Sequence, residues 1–206
     1  MMKKIFLIML LSVMALAVPA QTPAGQQAAI QAISRATAQM KTMQADFVQT
    51  KTLKMLGDKM VAHGRMAYQQ SDKLRWEYTT PYAYTFILNG SKVTLRKGKR
   101  SDVIDVNRNR MFKEIARIMM NSMAGQCITD SKTFKVSVKT DAQHYTATLL
   151  PLKKDMKQMY TRIVLVFGRQ TATVSRVMMY ERNGDCTDIV LKNVRTNAAV
   201  SAKEFL

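Results

Sequence analysis

Alternation of apolar and polar residues with a period of two runs through most of this chain and confines it to folds built on a sheet with one dry face. The clearest run is Leu74-Arg75-Trp76-Glu77-Tyr78, in which Leu74, Trp76 and Tyr78 share one face and Arg75 and Glu77 the other. Successive side chains of a strand point to opposite sides, so this stretch predicts a half-buried strand. The same period predicts strands over Phe47 to Met55 and Lys59 to Tyr68, separated by a turn at Gly57-Asp58. It returns over Tyr84 to Leu88, and Asn89-Gly90 then predicts a tight hairpin into Lys92 to Arg96. Further strands are expected at Thr133 to Lys139, His144 to Leu150, Tyr160 to Phe167 and Thr173 to Glu181. A second Asn-Gly turn, Asn183-Gly184, leads into Cys186 to Val194.

Two segments change period. Gln26 to Met43 spaces Ile30, Ile33, Ala36, Thr37 and Met40 by threes and fours, which predicts an amphipathic helix. Arg110 to Met123 does the same with Met111, Ile115, Ile118 and Met119. About ten short strands with two helices set apart predict a mainly β, α+β domain, an antiparallel sheet carrying its helices on one side. Such a sheet curls, and helices over the concavity either fill it or leave a cavity. Repeats and long linkers are absent, so residues 21–206 read as a single domain.

The N-terminus reads as an export leader. Lys3 and Lys4 precede an apolar run from Ile5 to Val18, and Val18-Pro19-Ala20 offers small residues for cleavage near Ala20. The apolar run falls short of the roughly 20 residues a spanning helix needs. No Cys follows it, so the chain carries no lipidation signal there. The expected compartment is therefore the periplasm. There Cys127 and Cys186 are free to pair or not, and their spacing matches no zinc pattern. The formal net charge is +18 and falls only slightly when the leader is removed. Export and the scattering of basic residues through alternating segments argue against nucleic acid. The charge reads either as a solvated cationic surface or as attraction to an anionic partner or lipid surface.

Catalytic chemistry finds no support. There is no Gly-rich phosphate loop, no nucleophile elbow and no metal-binding His pair, and His63 and His144 read as surface or edge residues rather than general bases. The expectation is a binding protein with no enzyme activity, no catalytic residues, no metal and no cofactor. Methionine is abundant, 17 in all, of which only Met1, Met2, Met9 and Met14 fall in the leader. Met suits either an ordinary core or a wall that accepts apolar shapes of varying outline.

The order of the motifs resembles the periplasmic carriers of outer-membrane lipoproteins, the LolA family. Asp46-Phe47-Val48-Gln49 is similar to the family's F-x-Q strand, and Gly64-Arg65-Met66-Ala67-Tyr68 to its G-x-aliphatic-x-aromatic strand. Lys73-Leu74-Arg75-Trp76-Glu77-Tyr78, then Pro81 and Asn89-Gly90, complete the stretch. The resemblance implies a strongly curved, incomplete antiparallel β-barrel capped by helices that enclose an apolar cavity. It implies acyl chains of lipoproteins as cargo, an inner-membrane lipoprotein-release complex as donor and an outer-membrane acceptor, with the carrier a monomer. Leu74, Trp76 and Ile115 match cavity-facing positions of the family. Phe47, Met66, Tyr68, Tyr78, Met111 and Met119 join them by periodicity. Family members often carry an Arg that latches the lid where this chain has Gln70, followed by Ser71. A Gln latch would lack charge assistance. On the same fold, the alternatives are a carrier or sensor for free lipid or glycolipid and a protein-binding periplasmic domain without a cavity.

Overall fold

The computed structural model describes residues 23–70, 72–108, 120–121 and 125–206. Eleven strands form one sheet: β1 (Thr42–Leu53), β2 (Asp58–Gln69), β3 (Lys73–Thr80), β4 (Tyr84–Asn89), β5 (Lys92–Lys97), β6 (Arg100–Asp105), β7 (Phe134–Thr140), β8 (His144–Pro151), β9 (Tyr160–Gly168), β10 (Val174–Glu181) and β11 (Cys186–Thr196). Helix α1 (Pro23–Gln39) precedes them, and a short helix α2 (Lys154–Met159) links β8 to β9. The strand order is β6-β5-β4-β3-β2-β1-β11-β10-β9-β8-β7, and the neighbouring strands pair antiparallel. Two sequential meanders are thus joined at one non-local seam, β1 with β11, in a register running from Met43↔Thr196 to Thr52↔Cys186. The sheet does not close, because β6 and β7 remain its two edges.

The inner face collects the core. Met43, Ala45 and Phe47 of β1, Met66 and Tyr68 of β2, Leu74 and Trp76 of β3 and Phe86 and Leu88 of β4 all belong to one buried cluster. Leu149, Leu165, Val177 and Leu191 continue it through the second meander. Helix α1 buries Ala29, Ile33 and Thr37 at helical spacing, and Ala29 and Ile33 join this cluster together with Met40 just past the helix end. Its Gln26 Oε1 accepts a hydrogen bond of 3.2 Å from the Val138 N–H of the edge strand β7, which ties the helix to that edge.

Several sequence expectations are corrected. The helix ends at Gln39, and Met43 lies in β1 with its side chain buried. Met40 and Met43 are three apart, a spacing that reads as helical until the period-two run is extended back to Thr42. β6 escapes the alternation because its residues are mostly exposed, so no dry face marks it. Helix α2, six residues long, buries only Met156. The second expected helix, 110–123, lies almost wholly outside the described residues, although Met120 and Asn121 are helical. A C-terminal 3-10 turn (Ala202–Phe205), which the sequence pattern does not announce, packs Phe205 against Ala67 and Ile87 on the outer face. The pairing of Cys127 with Cys186, which the sequence leaves open, is not made.

Gly64 is the tightest point of the sheet. A Cβ there would collide with the Glu77 carbonyl oxygen and with the Phe47 ring, which lies directly over it. The β2–β3 register shifts between His63 and Gly64, which marks a local irregularity at this contact. Gly64→Ala should destabilise the fold by about 1–3 kcal/mol through this overpacking, read as a lower urea midpoint at unchanged slope.

Candidate functional site

The two faces of β1–β4 differ sharply in chemistry, and the period-two pattern is what separates them. On the inner face the Phe47 and Trp76 rings stack with centroids 4.2 Å apart and planes 20° from parallel. Tyr78 meets Phe47 edge-on at 5.3 Å, and Tyr84 lies 6.3 Å beyond Tyr78. Such aromatic pairs add about 0.5–1.5 kcal/mol each beyond the area they bury. The Tyr78 hydroxyl donates to Gln49 Oε1 at 3.0 Å, which satisfies this polar end of the aromatic cluster. Burial pushes the Tyr68 and Tyr78 phenols above their usual range, so both stay neutral.

Six of the expected site residues therefore come together. Phe47, Met66, Tyr68, Leu74 and Trp76 are buried in one cluster, with Tyr78 packed against it. Leu74 is 0 %, Phe47 1 % and Trp76 5 % exposed, so this face is covered rather than open to solvent. Phe86, Leu88 and Tyr84 of β4 and Val93 of β5 extend the same face. The resumed alternation over Tyr84 to Leu88 was the signal for them. Gln49 was visible in the F-x-Q motif, but its role as partner of Tyr78 was not. Met111, Ile115 and Met119 lie outside the described residues. Gln70 is exposed, and its backbone N–H donates to the Lys41 carbonyl at 2.8 Å, where the chain passes from α1 into β1. The expected latch position thus sits at the root of the helix.

The outer face is an array of ion pairs. Glu77 accepts hydrogen bonds from Arg65 Nε at 2.9 Å and from Arg75 Nε at 2.8 Å. Arg75 also lies 3.6 Å from the Glu204 carboxylate. Burial pushes the Glu77 carboxyl up, but the two guanidinium hydrogen bonds and charges outweigh it and hold the group below the usual carboxylate range. The C-terminal tail crosses this face as a strap. Thr42 Oγ1 donates to the Ala198 carbonyl at 2.7 Å, and Gln44 Nε2 to that of Ala199 at 3.1 Å. Further on, Asn89 Nδ2 donates to the Phe205 carbonyl at 3.2 Å. Between tail and sheet lies a cleft of about 780 Å³ whose walls include Asp46, Arg65, Arg75, Asn193, Arg195 and Glu204. Of the expected site residues only Met66 borders it, so this polar space is distinct from the apolar face.

The comparisons with known proteins agree with this two-faced, open sheet. The family described as outer membrane lipoprotein carrier protein LolA matches residues 38–206. The chain belongs to the LolA family. An outer-membrane lipoprotein carrier protein of Legionella pneumophila is 27% identical over 167 residues, covering 81% of this chain and 78% of that protein. One from Chromobacterium violaceum is 27% identical over 192 residues, covering 92% and 85%. Among solved structures, an uncharacterized conserved protein from Thermus thermophilus superposes with a TM-score of 0.54 at 7% identity, covering 86% of this chain and 90% of that one. MucB does so with a TM-score of 0.54 at 10% identity, covering 89% and 62%. At these identities the structural likenesses speak for the LolA-like fold alone. Among the described residues no group of three His, Cys, Asp or Glu could hold a metal ion, and no helix is long and apolar enough to cross a membrane.

Glu77 sets a pH dependence on the outer face. Its folded carboxyl titrates below its unfolded value, so its contribution is complete above the ordinary carboxylate range and is lost as pH falls through the folded value. Glu77→Gln should therefore lower stability at neutral pH, and the gap to the wild type should close in acid. Denaturant unfolding of both proteins across that range checks this.

Proposed function

We propose that this protein is a periplasmic carrier that shields the acyl chains of lipoproteins against the inner face of its sheet and moves them from the inner to the outer membrane. The observation that carries the reading is the continuous apolar face around the Phe47–Trp76 stack in a chain of the LolA family. Phe47, Met66, Tyr68, Leu74, Trp76 and Tyr78 provide the described part of the acyl site. Met111, Ile115 and Met119 complete it by their spacing in the sequence. Residues 1–20 act as the leader, and residues 21–206 as one carrier domain. The partners are acylated lipoproteins, an inner-membrane release complex and an outer-membrane acceptor.

Acyl burial supplies the affinity. At about 0.8 kcal/mol per CH₂, one chain of ordinary length contributes on the order of 10 kcal/mol when fully removed from water. The face is covered before cargo arrives, so loading means that acyl chains exchange with the side chains now covering it. Net affinity is then the difference between two burials, which suits a protein that must also release its load. Met66 and the other methionines favour such exchange, because an unbranched thioether side chain repacks at little cost. In this reading helix α1, held to β7 by Gln26 and joined to β1 by a short link beside Gln70, moves with the cover.

The close packing of the inner face also favours a rival, a protein-binding periplasmic domain without a cavity. Native mass spectrometry of the exported protein separates the two. A carrier gives adducts that bear acyl chains, and lipid extraction then tells lipoprotein from free lipid or glycolipid. Persistently empty protein, in cells that make lipoproteins, would favour the rival. Leu74→Glu should abolish the adducts. Met66→Ala, a milder change, should weaken them by about tenfold for the contact area removed while the chain still folds.

A further inference from the structure

One rim of the sheet gathers most of the large apolar side chains that the described residues leave in water, Val103 and Leu206 lying away from it. The antiparallel registers bring five connections to that rim: the β1–β2 turn (54–57), the β3–β4 turn (81–83), the β5–β6 turn at Gly98-Lys99, the β8–β9 link with α2, and the β10–β11 turn (182–185). Two hydrogen bonds bind three of these together. Lys54 N–H donates to Asp185 Oδ1 at 3.0 Å, and Arg182 N–H to the Met159 carbonyl at 3.0 Å.

Met55 is 90 % exposed, Leu56 76 % and Tyr82 65 %, and Met60, Leu152 and Met159 are also exposed. All six lie on or next to these connections. On the opposite rim the turns at 90–91, 141–143 and 169–173 bear no large exposed apolar side chain, and the C-terminal Leu206, 68 % exposed and next to Phe205 beside Asn89, is the exception among the described residues. The β1–β2 hairpin also projects. β2 pairs with β1 out to Asp58 but with β3 only to His63, so residues 58–62 continue past β3 by roughly 17 Å at about 3.3 Å per residue.

Cations surround these apolar tips. Lys54 and Lys59 flank Met55 and Leu56, Lys97, Lys99 and Arg100 form the β5–β6 turn, and Lys153, Lys154 and Lys157 surround the α2 link. Asp58, Asp102, Asp155, Glu181 and Asp185 offset part of this charge, and basic residues remain in excess. Long apolar tips ringed by lysines, on separate hairpins along one rim, suit the interfacial zone of a bilayer, where stems bury and ammonium groups stay at the headgroups. A protein interface would instead call for one contiguous packed patch. We propose that this rim docks the protein on an anionic phospholipid surface, with Met55 and Leu56 entering the headgroup region and the rim lysines holding phosphate groups.

This rests on exposure and charge at the rim and is independent of what the inner face carries. The test is co-sedimentation of the exported protein with vesicles of phosphatidylethanolamine and phosphatidylglycerol, against vesicles of phosphatidylcholine alone. The wild type should bind the anionic vesicles, with affinity falling as salt rises. The double change Met55→Asp, Leu56→Asp should cost about tenfold or more, from the apolar area it removes. Both side chains lie in solvent, so its melting curve and its uptake of a diacylated lipopeptide should match the wild type. Lys97→Glu with Lys99→Glu should weaken binding and flatten the salt dependence. The proposal is overturned if the wild type ignores anionic vesicles, if the Met55/Leu56 variant binds them as well as the wild type does, or if the rim captures a protein while leaving vesicles unbound. Loss of lipopeptide uptake by the wild type, with vesicle binding intact, would instead remove the cargo reading and leave the rim standing.

Discussion

The pairing of β1 with β11 is the contact on which the rest of the structure depends. It joins strands some 150 residues apart in sequence, since Phe47 sits opposite Leu191 and Val48 opposite Val190. Without it the chain would form two separate meanders, each with an apolar face too narrow to cover itself. With it, eleven strands share one face, and a sheet of that width curls. Closing so long a loop before its contacts form is entropically costly, which places this seam among the slow steps of folding. The seam also aims the tail. Beyond β11, Asn197 N–H donates to the Thr42 carbonyl at 2.9 Å, and Lys41 N–H to Asn197 Oδ1 at 2.8 Å. Start and end of the sheet are thereby fastened at the root of α1.

From that seam follows a division of labour between the faces. The inner face is aromatic and methionine-rich, and the Tyr78 hydroxyl on it is satisfied by Gln49. The outer face carries the Arg65–Glu77–Arg75 network and the strap ending in Phe205. Exposed ion pairs contribute little singly. Here one carboxylate serves two guanidinium groups beneath a covering tail, so the network fixes the position of the strap more than it adds stability. Gly64 lies where the Phe47 ring and the Glu77 carbonyl come closest to β2. The Phe47 ring occupies the place of the missing side chain, and this lets the aromatic stack lie flat on the sheet.

Much of this was legible in the sequence because half-buried strands print their geometry as alternation. Leu74, Trp76 and Tyr78 face inward, and Arg75 and Glu77 face outward, as the period requires. Asn183-Gly184 lies in its hairpin turn, whereas the turn expected at Asn89-Gly90 falls one residue on, at Gly90-Ser91, with Asn89 closing β4 opposite Lys92. What stayed hidden did so for physical reasons. β6 is an edge strand with little buried, so nothing in its composition distinguishes it from a loop. Met43 fits a three-residue spacing from Met40 and a two-residue spacing to Ala45, and local pattern cannot choose between them. Phe205 packs on Ala67 and Ile87, partners far away in sequence that no periodicity reveals. The alternation also says which side chains face inward but not how tightly they pack, and so the covered state of the inner face emerged only from the fold.

Trp76 is the only tryptophan in the chain, and it stands in the aromatic stack at the centre of the proposed acyl site. Its fluorescence is therefore the most direct reporter of cargo position. A lipopeptide with bromine atoms along its acyl chains quenches an indole only on near contact. Titrating it into the protein should quench Trp76 in a saturable manner, and an unbrominated lipopeptide should reverse the quenching by competition. Saturable binding that leaves Trp76 unquenched would place the acyl chains elsewhere and contradict the assignment of the inner face.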